Sequence, residues 1–255
     1  PYILFLPTYT ATAWFHKKLN PELQTDLNKT IEDVKDFAET EYTLALMQGD
    51  RLSEEKKAEI TKKLAAYTGL SEDYVSKSNN RIGIHRFVKE LRRDERLTVG
   101  RLDSRFRGYD RDAVGEMNEY DPSYAVIQGP YTGMLNDYIR RELEYKNDIP
   151  YEILTGKVRP WSYDAYQNQY VNVAETLREA MSMNPYLKVF VANGYYDLAT
   201  PFFATEYTFS HMALEPEVRE NVEMEYYEAG HMMYIHMESL KKIKADLKKF
   251  LQKSK

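Results

Sequence analysis

The chain has 255 residues, enough for one large domain or for one domain carrying a substantial insertion. It is 43% hydrophobic and 29% charged, and its net charge of -5 gives no basis for binding nucleic acid or an anionic membrane surface. The absence of cysteine excludes disulfides, thiolate metal sites and a cysteine nucleophile together; it weighs slightly toward the cytoplasm, and the cellular address is otherwise left open.

In chain order, Pro1–Leu19 is apolar and aromatic, and a helix carrying Trp14 and Phe15 is expected to pack on a sheet. With no polar lead-in, Pro1 reads as an interior point of a longer protein. Asn20-Pro21-Glu22 is a helix-start signature, followed by Leu23, Leu27, Ile31, Val34 and Ala38 at helical spacing. Ser53 opens a second amphipathic helix that Gly69 closes, Ser71 caps a third, and Ile84, Phe87, Val88 and Leu91 mark a fourth. Residues 81–111 hold ten basic side chains against five acids, interleaved in a way that predicts a salt-bridged surface rather than an anion site. Residues 100–133 are rich in Gly, Asp, Tyr and Pro and read as ordered loop. Met134, Leu135, Tyr138, Ile139 and Leu143 then form a helical stripe.

The texture changes after Trp161. Val171, Ala174, Leu177 and Met181 share a helix face, and Leu187–Ala192 is a continuous apolar run that reads as a fully buried parallel strand. A helix over Pro201–Met212, a strand over Val222–Tyr227 and a Lys-rich helix over Met237–Leu251 complete a strand–helix–strand–helix unit. The apolar side of that last helix is read as Leu240, Ile243, Leu247, Phe250 and Leu251. Two parallel strands fall short of the roughly five or six of an ordinary sheet, so partner strands are expected from elsewhere. No run of residues is long and apolar enough to read as a membrane span, and none reads as a signal peptide.

Asp197 follows Asn193-Gly194, and His231 follows Gly230. Both lie just past a predicted strand, where open α/β sheets place their chemistry. Their separation is about one strand–helix–strand step, and an acid preceding a histidine is the chain order of a Ser–Asp–His hydrolase. The roles expected are His231 as general base and then acid, and Asp197 as the carboxylate fixing its tautomer. His16, His85 and His211 show no partner pattern and read as structural. His231 and His236 lie five apart, which does not match the spacing of a metal-binding helix, so no metal and no cofactor is expected.

Several words of the sequence resemble the bacterial branch of the serine carboxypeptidase family. They are Leu6-Pro7-Thr8-Tyr9-Thr10-Ala11-Thr12-Ala13, Gly100-Arg101-Leu102-Asp103-Ser104-Arg105, Gln128-Gly129-Pro130-Tyr131, Asn193-Gly194-Tyr195-Tyr196-Asp197 and Tyr227-Glu228-Ala229-Gly230-His231-Met232. The resemblance runs along essentially the whole chain. It implies an α/β fold: the C-terminal part of an α/β-hydrolase core with a large, mainly helical cap insertion. Residues 1–19 would be a core segment, 20–165 the cap or lid, and 166–255 the C-terminal core carrying Asp197 and His231. The resemblance also implies that Met232 helps wall the pocket for the leaving residue; an ordinary core methionine is the alternative.

The family's nucleophile sits on a Gly-Glu-Ser-Tyr-like elbow, an instance of G-x-S-x-G, and no serine of this chain has glycine at both of those offsets. The expected function is therefore a serine carboxypeptidase-like hydrolase that releases C-terminal residues from peptides through an acyl-enzyme. Its nucleophilic serine and oxyanion donors would come from the N-terminal part of the same protein, leaving this chain alone inactive. The expected partners are a peptide substrate and that N-terminal part, with homo-oligomerisation left open. The alternatives are a non-catalytic helical binding or regulatory module, and an esterase or acyltransferase on the same scaffold.

Overall fold

The computed structural model describes residues 1–151 and 155–253. Its architecture is mixed and helix-rich, 56% helical, with two small two-stranded sheets. At its centre is α1 (Tyr2–Phe15), buried without interruption from Leu6 to Ala13. A helix apolar or small around its whole circumference belongs inside a bundle, and α1 is surrounded by α2 (Leu27–Phe37), α4 (Glu54–Thr68) and α9 (Phe202–Ser210). It therefore packs mainly on helices, not on the expected sheet. Phe15 reaches the Tyr196 ring at 5.3 Å, which ties its end to the second half of the chain.

The first predicted helix starts later than Asn20. Asn20 Oδ1 accepts the Leu23 amide at 3.0 Å, closing one turn that goes no further, and the true cap is Asp26, which accepts the Lys29 amide at 3.1 Å. From there α2 runs through a π turn over Ala38–Tyr42 into α3 (Thr43–Gln48). Ser53 caps α4, and Gly69 ends it with φ at 70°, a conformation that favours glycine. Ser71 caps α5 (Glu72–Lys77), and α6 (Ile84–Glu90) follows. Ile31, Val34, Ile60, Leu64, Val75 and Phe87 from these helices are each at most 2% exposed. Complete burial of such side chains stabilises by about 1.5–3 kcal/mol each.

Two short strands, β1 (Thr98–Val99) and β2 (Arg107–Gly108), pair antiparallel around the 100–106 loop. The loop expected over 100–133 ends early, because Asp121-Pro122 is a cap followed by an N1 proline and starts α7 (Pro122–Asp137). Gly129, Pro130 and Gly133 lie inside that helix and disguised it as loop. A π turn over Tyr138–Glu142 follows. The stripe predicted here is split: Met134 71%, Tyr138 51% and Leu143 58% are exposed, while Leu135 and Ile139 are half-buried.

After α8 (Ala174–Met183), β3 (Val189–Gly194) pairs parallel with β4 (Val222–Tyr227), with α9 and α10 (Pro216–Arg219) between them in sequence. The register runs from Val189↔Val222 to Gly194↔Tyr227, so the two strands end level. The β3 strand is not fully buried as expected: Val189–Ala192 are half-buried, and only Asn193 and Gly194 are enclosed. Among the described residues β3 pairs with β4 alone, so its other edge carries no strand. The last helix, α11 (Met237–Lys253), packs on both strands. Its inward side carries buried Ser239 and Asp246, with Phe250 5.3 Å from the Phe190 ring, whereas Leu240, Leu247 and Leu251 of the expected apolar side are exposed.

Candidate active site

The level strand ends bring the two predicted side chains together. Past Gly194 the backbone still follows β4, with the Tyr195 amide donating to Tyr227 O and the Tyr196 amide to Ala229 O, each at 3.0 Å. This close approach requires glycine on both sides. A Cβ on Gly194 would lie 2.5 Å from Gly230 O, and one on Gly230 would lie 2.4 Å from the Asp103 Cβ.

Asp197 is 3% exposed and its oxygens are fully engaged. Oδ1 accepts the amides of Ala199 at 2.7 Å and Thr200 at 2.9 Å, in the manner of a helix cap. Oδ2 accepts the Thr200 hydroxyl at 2.5 Å and faces His231 Nδ1 at 2.8 Å. An acid so placed selects the neutral imidazole tautomer with its proton on Nδ1. Nε2 is then left with a free lone pair, on a side chain that is 43% exposed and has no hydrogen-bond partner for Nε2 among the described residues. The hydrogen bond to Asp197 holds the His231 pKa above its ordinary value; partial burial and the positive charge of Arg101 oppose that effect.

Behind both residues lies the loop 101–105. Arg101 O accepts the Leu198 amide at 3.0 Å, and the Ser104 amide and hydroxyl both donate to Tyr196 O at 3.0 Å, which brackets Asp197 in sequence. Leu102 O accepts the His231 amide at 2.7 Å, and Asp103 Oδ2 accepts the Gly230 amide at 3.2 Å. The loop is held in turn by Asp121, whose two oxygens take the amides of Arg101 and Leu102 at 3.1 and 3.2 Å. On its far side the Ser104 hydroxyl meets Thr12 Oγ1 at 2.6 Å, and Ser104 O meets His16 Nε2 at 2.6 Å. Arg92 Nη1 donates to His16 Nδ1 at 3.0 Å, which leaves Nε2 to carry the proton, and burial depresses the His16 pKa.

Met232 is next to His231 and 9% exposed; its neighbour Met233 packs with Tyr227 and Ala229. His211 stacks on Tyr207 and His236 Nδ1 meets Ser239 Oγ, both away from this cluster. The basic 81–111 stretch is laced with ion pairs: Arg86–Glu116, Arg92–Glu95, Arg93–Glu90, Arg105–Asp103, Arg111–Glu119 and the fully enclosed Lys89–Asp110. Among the described residues no three His, Cys, Asp or Glu side chains converge as a metal-ligand set, and no helix is long and apolar enough to cross a membrane.

Thr200, Asp103 and Ser104 are the parts of this arrangement that sequence reasoning did not assign. Thr200 had a local signal, since an aspartate commonly closes a turn on the amides two and three residues on, which here are those of Ala199 and Thr200. Asp103 acts across 127 residues, and although it lies in one of the words that carry the resemblance, nothing local indicated its contact with Gly230. The chain matches no known protein-family model, no curated protein and no solved structure.

Proposed function

We propose that this chain supplies the acid–base half of a serine carboxypeptidase-like hydrolase, acting on peptides from their C-terminal end through an acyl-enzyme. The observation that carries the reading is the 2.8 Å contact between His231 Nδ1 and the enclosed Asp197 carboxylate, with Nε2 directed outward and unpartnered. That is the arrangement an imidazole needs to take a proton from a hydroxyl and return it to a leaving amine. No described serine is hydrogen-bonded to His231, so the nucleophile and the oxyanion donors are assigned to the N-terminal part of the same protein. On this reading β3, β4 and α11 are the last portion of an α/β-hydrolase core, with residues 1–19 a further core segment and 20–165 the cap. The edge of β3 that carries no strand among the described residues is where further strands would pair. Met232 would wall the pocket of the departing residue.

Labelling the full-length protein with a fluorophosphonate tests the assignment. His231→Ala should abolish uptake, and Asp197→Asn should lower turnover by about 10⁴-fold, the cost of losing this carboxylate in serine proteases. Undiminished labelling of the His231→Ala protein would rule out a base role. A peptide with a free C-terminus should be cleaved and its amidated form spared; preference for a blocked ester would instead point to an esterase on the same scaffold.

A further inference from the structure

We propose that Asp103 is a positioning residue for His231, acting through the Gly230 amide. Its carboxylate is wholly enclosed, at 0% exposure, and makes two sets of contacts. On one side it is gripped by Arg105, whose Nε and Nη2 donate to Oδ1 and Oδ2 at 2.9 and 2.7 Å. On the other side Oδ2 takes the Gly230 amide. Arg105 Nη1 reaches past it to Glu228 O at 2.8 Å. The Asp103–Arg105 pair thus holds the β4 exit at two points, the carbonyl of residue 228 and the amide of residue 230. Leu102 O fixes the next amide, that of His231 itself.

These contacts matter because of what lies between them. Gly230 has no side chain to restrict its backbone, and the room for one is filled by Asp103. The direction of the His231 Cα–Cβ bond is therefore set by hydrogen bonds from outside rather than by local sterics. A carboxylate accepting from both a guanidinium and a backbone amide in an enclosed site makes bonds roughly twice as strong as neutral ones. Asparagine has the same shape but only one acceptor oxygen, so it loses the two-pronged Arg105 fork in either orientation and, with its NH2 in the place of Oδ2, the Gly230 amide as well. Two charged groups act on His231 directly, Asp197 and Arg101; Asp103 acts through the backbone. The kinetic part of this proposal rests on the hydrolase reading, whereas its structural part does not.

The test compares wild type, Asp103→Asn and a destabilised control, Phe87→Leu, in the full-length protein. The readouts are the His231 imidazole titration and Nδ1–H resonance by NMR, together with kinetics. Asp103→Asn should move the His231 titration down toward that of a free histidine and broaden or shift the Nδ1–H signal. It should also lower kcat by about 10–100-fold with KM within about two-fold, as displacement of a catalytic group by about an ångström does. Phe87→Leu should lower Tm while leaving both NMR signals in place. An unchanged titration and Nδ1–H signal in folded Asp103→Asn would overturn the proposal. Should that variant not fold, Arg105→Lys retains the charge and removes the fork; the same shift, smaller, is expected, and its absence would overturn the proposal equally. If the wild type shows no turnover while the NMR changes appear, the hydrolase reading falls and the positioning role stands.

Discussion

The helices before residue 91 and the segment from 122 to 183 both carry large apolar side chains, with very different fates. In the first, Val34, Ile60, Val75 and Phe87 are all fully enclosed around α1. In the second, Met134, Tyr138, Leu143, Tyr170 and Met183 are all more than half exposed, and Met181 is fully enclosed. The difference lies largely in partners. Of the early helices, α2 and α4 pack directly on α1 and α5 packs on α4, while α6 reaches α1 through the Phe87–Tyr9 stack. By contrast α7 touches the short β1–β2 ribbon and the turn that follows it, which leaves the rest of its surface open. A periodic apolar stripe shows which side of a helix seeks cover, and the cover itself must come from another segment.

The sharpest way to break this contrast is at Phe87, which is fully enclosed and stacks on Tyr9 with ring centroids 4.1 Å apart. Phe87→Ala should cost about 3–5 kcal/mol in urea unfolding; a loss below 1 kcal/mol would mean that the first region is no better packed than the second. Lys89 comes next, its charge enclosed with Asp110 and its ammonium also donating to Asp112 O. Lys89→Met alone strands a buried carboxylate and should cost roughly 3–5 kcal/mol, whereas pairing it with Asp110→Leu should restore most of the loss. If the double variant is no better than the single, the pair contributes nothing through its charges.

A smaller effect is expected from pH. The folded His231 pKa is raised, so its contribution to stability is complete below the ordinary histidine range and is lost as pH rises through the folded value. His16 is shifted the other way by burial, so its contribution is present above the ordinary range and is lost as pH falls toward its lower folded value. Unfolding curves of His231→Gln and His16→Gln across pH 5 to 9 should lose these opposite slopes one at a time. The smallest effect is at α7, where Met134→Ser should change stability by less than about 0.5 kcal/mol; a loss several times larger would place a hidden partner on that face.

What could be read from the sequence was what local chemistry determines. Ser53 and Ser71 cap their helices as expected because a hydroxyl bonding an amide three residues on needs nothing else. Asn20 makes that same bond and misled, because the bond closes a turn whether or not a helix continues. The two parallel strands were apparent, one from a continuous apolar run and the other from its alternation, and the structure brings Asp197 and His231 together at their tips. The exposure of Leu240, Leu247 and Leu251 was not apparent, since pattern alone cannot tell which face of α11 the strands cover. Nor was the frame at Asp103, Ser104 and Tyr196, whose contacts join residues 92 and 127 positions apart.

The loop from Arg101 to Arg105 has a consequence for how this region comes into being. Local hairpins and helix caps close early in folding, whereas joining segments about a hundred residues apart waits until most of the chain has ordered. The imidazole and carboxylate sit one strand step apart and can approach each other on their own, yet the clasp that aims them arrives only with that distant segment. A fragment spanning residues 166–255 would thus carry both side chains and lack their alignment. During refolding of the whole protein, solvent protection of the Gly230 amide should be among the last signals to appear.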